Sequence, residues 1–233
     1  MNEIVWNKKC LLSPSLICLD MMNLSEQVKQ IEQAGIELLH IDILDGHFSP
    51  SIPLGFETVK QLRAITDLPF ECHVMTEDPE YFIDELLDIG VQQIVFHIET
   101  AKHIDGLINK IHSRGVRAGV ALKPATSLYQ LEYIIYKCDA ILLMQINPGY
   151  ASVKGEARVQ YADQKIKRLR KMIDDYHLDT KIILDGRVSI ETIKTYGKDI
   201  VDIFVGGTTC LDKNDIAGTT NRFMDVRKTI LGE

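Results

Sequence analysis

His40 and Asp42 stand two residues apart in the apolar run Leu38-Leu39-His40-Ile41-Asp42-Ile43-Leu44. A run of that composition suits a buried strand. At strand spacing both side chains leave the same face, where an imidazole and a carboxylate can share one ligand. His73 lies near the end of a second such run, Phe70-Glu71-Cys72-His73-Val74, and Asp185 closes a third, Lys181-Ile182-Ile183-Leu184-Asp185. Two imidazoles and two carboxylates make a donor set for one divalent metal ion, with Zn2+ the first choice and Fe2+, Mn2+ or Co2+ also compatible. A lone histidine on a strand is more often a hydrogen-bonded core residue. Convergence of the set, with Ser15 and His97 also at the ends of apolar runs, reverses that preference.

The elements that must carry these residues recur regularly. Short apolar runs suited to buried parallel strands occupy residues 11–18, 38–44, 70–74, 93–97, 117–122, 140–146, 181–185 and 203–206. Amphipathic stretches follow at 24–34, 56–65, 80–89, 104–113, 128–136, 158–176, 190–196 and 216–231, and Gly35, Gly90 and Gly115 are natural C-terminal stops. Eight βα units predict an α/β fold, a single (β/α)8 TIM barrel over residues 1–233. A doubly wound open sheet would give the same alternation. Polar residues gathered at the C-terminal ends of the strands favour the barrel, whose active sites lie there.

The 233 residues are 45% hydrophobic and 25% charged, enough for a large core and unlike a disordered chain. The net charge of -7 argues against nucleic-acid binding, which rests on clustered Lys and Arg. The first ten residues contain no long apolar stretch, so neither a signal peptide nor a membrane span is expected, and a cytoplasmic location follows. Five scattered cysteines without a CxxC pair support neither a disulfide framework nor a cysteine zinc site. There is no GxGxxG or GxxxxGKS motif, so no nucleotide cofactor is expected.

Taken in order, Ser13-Pro14-Ser15-Leu16, His40-Ile41-Asp42-Ile43-Leu44-Asp45-Gly46-His47-Phe48, Cys72-His73-Val74-Met75, Val95-Phe96-His97, Leu142-Leu143-Met144, Asn147-Pro148-Gly149-Tyr150 and Leu184-Asp185-Gly186 resemble the motifs of ribulose-phosphate 3-epimerases. The resemblance runs over nearly the full chain. It implies a barrel of the ribulose-phosphate-binding type, with His40, Asp42, His73 and Asp185 as ligands of the catalytic metal. It also implies that Asp42 and Asp185 exchange the C3 proton of a ketose phosphate through a metal-stabilised enediolate. Ser15, His73, Met75, Met144, Gly149, Gly186, Gly207 and Thr208 would then contact the substrate; the plain alternative for the methionines is filling of the barrel mouth. Homo-oligomerisation is expected on the same ground.

Several positions depart from the family. The loop after the sixth strand reads Tyr150-Ala151-Ser152-Val153-Lys154-Gly155-Glu156 rather than a glycine-rich segment. The usual Asp-Gly-Gly is Asp185-Gly186-Arg187, Ser49-Pro50-Ser51 replaces Val-Pro-Asn, and Leu44 replaces a methionine. Lys154 and Arg187 are the candidate phosphate ligands that could compensate. D-ribulose 5-phosphate is the first-choice substrate, and D-allulose 6-phosphate is the alternative within the same chemistry. A decarboxylase would need a lysine among the acidic residues near strand two, which is missing; a non-catalytic sugar-phosphate-binding homologue would not need both Asp42 and Asp185.

Overall fold

Eight strands, β1 (Leu11–Pro14), β2 (Leu39–Leu44), β3 (Phe70–Met75), β4 (Gln93–His97), β5 (Arg117–Leu122), β6 (Ala140–Met144), β7 (Lys181–Asp185) and β8 (Ile203–Gly206), pair in parallel in the order β1-β8-β7-β6-β5-β4-β3-β2. Each strand neighbours its successor, and β1 returns to β2 through a single bridge between Ser15 and His40. That order is a barrel and rules out the doubly wound sheet, in which the strand order reverses. The computed structural model describes residues 3–151 and 153–233, so Met1, Asn2 and Ser152 of the expected 1–233 domain lie outside the described residues.

Alternation along the strands separates two cores. On β2, Leu39, Ile41 and Ile43 pack outward with the helices, and on β7 so do Ile182 and Leu184. Leu38, Val95, Ala121, Leu142, Ile183 and Ile203 fill the barrel interior, with Trp6 packed among them. The same period-two rule turns His40, Asp42, Glu71, His73 and Asp185 inward. Trp6 belongs to α1 (Glu3–Trp6), a helix that the sequence pattern does not announce, and the Arg117 guanidinium lies 5.1 Å from its ring centre.

The outer helices are α2 (Leu24–Gln33), α3 (Phe56–Arg63), α4 (Pro79–Ile89), α5 (Ile104–Ser113), α6 (Ala162–Asp175), α7 (Ile190–Tyr196) and α8 (Ile216–Leu231). Gly35, Gly90 and Gly115 adopt positive φ after α2, α4 and α5, as their expected role as helix stops requires. Among the described residues, no helix is long and apolar enough to cross a membrane.

Three expectations need correction. The stretch expected as a helix over 128–136 forms two short 3-10 helices, Leu128–Leu131 and Ile135–Lys137. Its tyrosines and isoleucines are weak helix formers, and its buried side chains are too few to hold a longer helix against the barrel. The first strand ends at Pro14 rather than at residue 18, because proline has no N–H for the ladder and a 3-10 helix, Leu16–Cys18, begins beyond Ser15. The helix expected from residue 158 starts at Ala162, because Arg158 is held outside it by Gln145 and by the Asp163 carboxylate.

Candidate active site

One atom from each of His40, Asp42, His73 and Asp185 lies within 4.8 Å of the others. Strands β2, β3 and β7 place them at the C-terminal mouth of the barrel. His40 Nε2 is 3.3 Å from Asp42 Oδ1 and 3.9 Å from Asp185 Oδ2; His73 Nδ1 is 3.4 Å from Asp185 Oδ2 and 3.9 Å from Asp42 Oδ1. Yet neither nitrogen has a hydrogen-bond partner, although both are buried. Such orphaned atoms are rare in folded proteins and suit a site built to take a ligand.

The outer nitrogen of each ring explains what the inner one offers. His40 Nδ1 lies 2.6 Å from Oε2 of the fully buried Glu71 and donates to it, so Nε2 is the nitrogen turned to the cluster, and it offers a lone pair to a cation once its own proton is displaced. His97 Nδ1 donates to Glu99 Oε2 at 2.9 Å, and burial, despite that partner, pulls the His97 pKa down to about 4. His97 is then neutral with Nε2 as an acceptor. His73 Nε2, 3.0 Å away, must donate to it, and His73 Nδ1 is left with a lone pair aimed at the cluster. Two unpartnered ring nitrogens and two carboxylates converging on one point fit a divalent cation. Histidines held by carboxylates through the outer nitrogen are the usual surroundings of such a cation.

Glu71 and Glu99 are the functional residues missed from sequence. Glu71 stands two residues before His73, so the period-two pattern already put it on the inner face. A fully buried carboxylate costs several kcal/mol, whereas an aliphatic side chain there would gain about 2 kcal/mol. That imbalance argues for its role in fixing His40. Glu99 lies beyond β4 and carries no periodic signal. It is set in place by the Lys123 N–H at 2.7 Å and by the Thr126 hydroxyl. Phe48 packs on the His97 ring at 4.7 Å, held there because the Asp45 carboxylate accepts the N–H groups of His47, Phe48 and Glu77, each at 2.8 Å.

Electrostatics distinguish the inner residues. Burial works against charge on His40, but Glu71 and Asp42 outweigh it and hold the imidazole well above its ordinary pKa. Burial alone would raise Asp42, whereas His40, His73 and the Ser15 hydroxyl together hold it below the usual carboxylate range. Ser15 donates to Asp42 Oδ2 at 2.6 Å, leaving Oδ1 toward the imidazoles. The Ser15 N–H is tied to Gly206 O at 2.9 Å, so the hydroxyl sits between β8 and β2.

A cleft of about 170 Å3 opens above the cluster and is lined by Ser15, Asp42, Met75, Met144, Gly149, Asp185, Gly186, Arg187, Gly207 and Thr208 among others. His40 and His73 lie beneath it, fully buried. Lys154 is exposed and does not line it. Gly186 has φ +90°, and a Cβ there would collide with Ile146 at 2.7 Å. A larger cleft of about 600 Å3 lies between the β5–β6 crossover and α6, lined by Tyr129, Tyr161, Lys165 and Arg168 among others. It holds none of the clustered groups, so chemistry rather than volume identifies the site.

Residues 11–211 match the family model described as "Ribulose-phosphate 3 epimerase family". A protein named ribulose-phosphate 3-epimerase from Methanocaldococcus jannaschii is 35% identical over 205 residues, covering 88% of this chain and 86% of that protein. One of the same name from Aquifex aeolicus is 31% identical over 212 residues, covering 91% and 94%. Among solved structures, KGPDC from Streptococcus mutans superposes with a TM-score of 0.69 at 14% identity over 94% of this chain and 97% of that one. At that identity the likeness speaks for the fold alone.

Proposed function

The chain belongs to the ribulose-phosphate 3-epimerase family of isomerases, and on that premise we propose that it inverts C3 of a ketose monophosphate, D-ribulose 5-phosphate first, using Asp42 and Asp185 as the two proton carriers. The observation that carries this reading is the pairing of those carboxylates, from strands three places apart around the barrel, at the floor of one cleft. We read the chain as one catalytic domain.

His40, Asp42, His73 and Asp185 are the residues that would hold a divalent metal, Zn2+ being the first choice. When bound, it supplies positive charge against the negative charge that develops on the ketose oxygens as the C3 proton leaves. Asp42, kept ionised by its neighbours, takes that proton on one side of the carbon. Asp185 is placed to return one from the other side, and the roles exchange in the reverse direction. Ser15 orients Asp42 by its hydrogen bond to Oδ2. Met75 and Met144 bring apolar surface to the cleft, where it limits water around the planar intermediate. Gly149, Gly186, Gly207 and Thr208 line the remainder, which suits the phosphate end.

The test compares kcat/KM for ribulose 5-phosphate, allulose 6-phosphate and the two unphosphorylated sugars, following inversion at C3. A phosphate remote from C3 holds the reacting carbon in place, so the free sugars should be poorer by about 100-fold. Preference for the six-carbon ester would change the substrate and leave the mechanism. Equal turnover of free and phosphorylated sugars would remove the phosphate from the reading.

Glu71 offers a separate check on the metal. Glu71→Gln should weaken metal affinity by about 10- to 100-fold, because the amide no longer anchors His40 Nδ1 with a charge. Competition with a chromophoric chelator measures it, and wild-type affinity in the folded variant would show that Glu71 serves packing instead.

A further inference from the structure

We propose that Arg187 recognises the substrate's phosphate while the same side chain stays anchored to Glu156. This deepens the epimerase reading and rests on it. Arg187 has φ 55°, in the left-handed region where a Cβ is disfavoured, directly after Gly186 at φ 90°. Cys10 and His177 are the other described non-glycine residues with positive φ, and neither lines the cleft. Arginine is thus kept in a conformation suited to glycine at the one such position that faces the site. Strain retained at a ligand-facing position is a sign of use.

Its side chain shows what the use is. Nε and Nη2 both donate to the carbonyl oxygen of Glu156, at 3.3 and 2.9 Å. Among the described residues, no carboxylate forms an ion pair with the guanidinium, whose hydrogen-bond partner is the neutral Glu156 carbonyl. Two donors are spent on Glu156, and the others remain for an anion. Arg187 is also the one cation among the described residues that line the cleft. In a chain of net charge -7, with Asp42 and Asp185 at the reacting end, a phosphate needs such a local attraction.

Glu156 makes this contact a latch. Its carboxylate accepts the N–H of Asn147 at 2.7 Å, which ties the end of the loop to its beginning. Gly149 and Ala151, between those two points, line the cleft. Arg187 therefore ties the segment after β7 to Glu156, and a phosphate on its free donors would sit at that junction.

The experiment uses the purified, metal-loaded protein and the variants Arg187→Gly and Arg187→Lys, with inorganic phosphate as the probe. Arg187→Gly relieves the backbone and should fold. We expect its inhibition constant for inorganic phosphate to rise by about 10- to 100-fold. The ratio of kcat/KM for the ketose phosphate to that for the free ketose should fall by a similar factor. Arg187→Lys, which keeps the charge but not the fork, should lie between. An unchanged inhibition constant in both variants, or an equal loss on both substrates, would overturn the proposal. Phosphate should also raise the melting temperature of the wild type more than that of Arg187→Gly, and this holds even if no ketose phosphate is epimerised. A failed epimerase reading is therefore distinguishable from a failed assignment of Arg187.

Discussion

Asp42→Asn and Asp185→Asn should each lower epimerisation by about 10^3- to 10^4-fold, the loss expected when a positioned proton carrier is removed. Asparagine preserves size, but it exchanges one acceptor oxygen for an NH2 donor, gives up the charge that would help hold the metal, and neither accepts the C3 proton nor returns one. The two variants should differ in an informative way. With metal loaded, the surviving carboxylate can still remove the proton on its own side and return a solvent proton to the same face. In heavy water, Asp185→Asn should then label one epimer at C3 without inverting it, and Asp42→Asn should label the other. Mass spectrometry of recovered sugar phosphate reads this directly. Near-normal inversion by either folded variant would remove that residue from the proton pathway.

Removing the metal should abolish turnover, and adding back a divalent ion should restore it. The same treatment should lower the melting temperature by roughly 5–10 °C, since a ligand at about 100 times its Kd contributes about 2.7 kcal/mol and a chain of this size shifts about 2–4 °C per kcal/mol. The cause is visible in the two orphaned nitrogens, His40 Nε2 and His73 Nδ1, which the metal would satisfy. The sign of the pH dependence follows from His40. Glu71 and Asp42 overcome the cost of burial and favour its protonated form in the metal-free chain. Metal uptake must expel that proton, so apparent affinity should fall as pH is lowered. Titration with Zn2+, with activity and melting temperature followed together, measures both effects. Full activity in protein shown by elemental analysis to hold no metal would end this assignment.

The barrel was legible in eight βα units with polar residues gathered at the strand ends, and His40 with Asp42 in period two; His73 and Asp185 joined them through their strand-end positions and the family resemblance. Leu39, Ile41 and Ile43 against His40 and Asp42 is a statement about faces, and faces survive any uncertainty about strand ends. β4, β5, β7 and β8 have the expected limits because their flanking loops change composition abruptly. The crossover after β5 misled because tyrosines and isoleucines at near-helical spacing satisfy an apolar pattern without favouring a helix. Glu71 obeyed the pattern and was passed over, since a buried carboxylate next to an obvious histidine does not announce its partner. Glu99 was out of reach. Its contact with His97 depends on how the chain leaves β4, and the link from His97 to His73 depends on β3 and β4 lying side by side. The strained backbone at Arg187 likewise has no signature beyond an arginine where the family has glycine.

The closure of the barrel through Ser15 and His40 makes the ring of strands uneven. Seven joints are ladders, and the eighth is one bridge, placed at two residues of the site. Under thermal agitation a hoop opens first at its weakest joint, so opening of this fold is expected to start where Ser15 meets Asp42 and His40, and hydrogen exchange of the backbone N–H groups at that bridge would report it. Whatever occupies the site spans that joint and acts as its rivet. Catalytic occupancy in this way adds contacts at the one joint that the ladders leave weak.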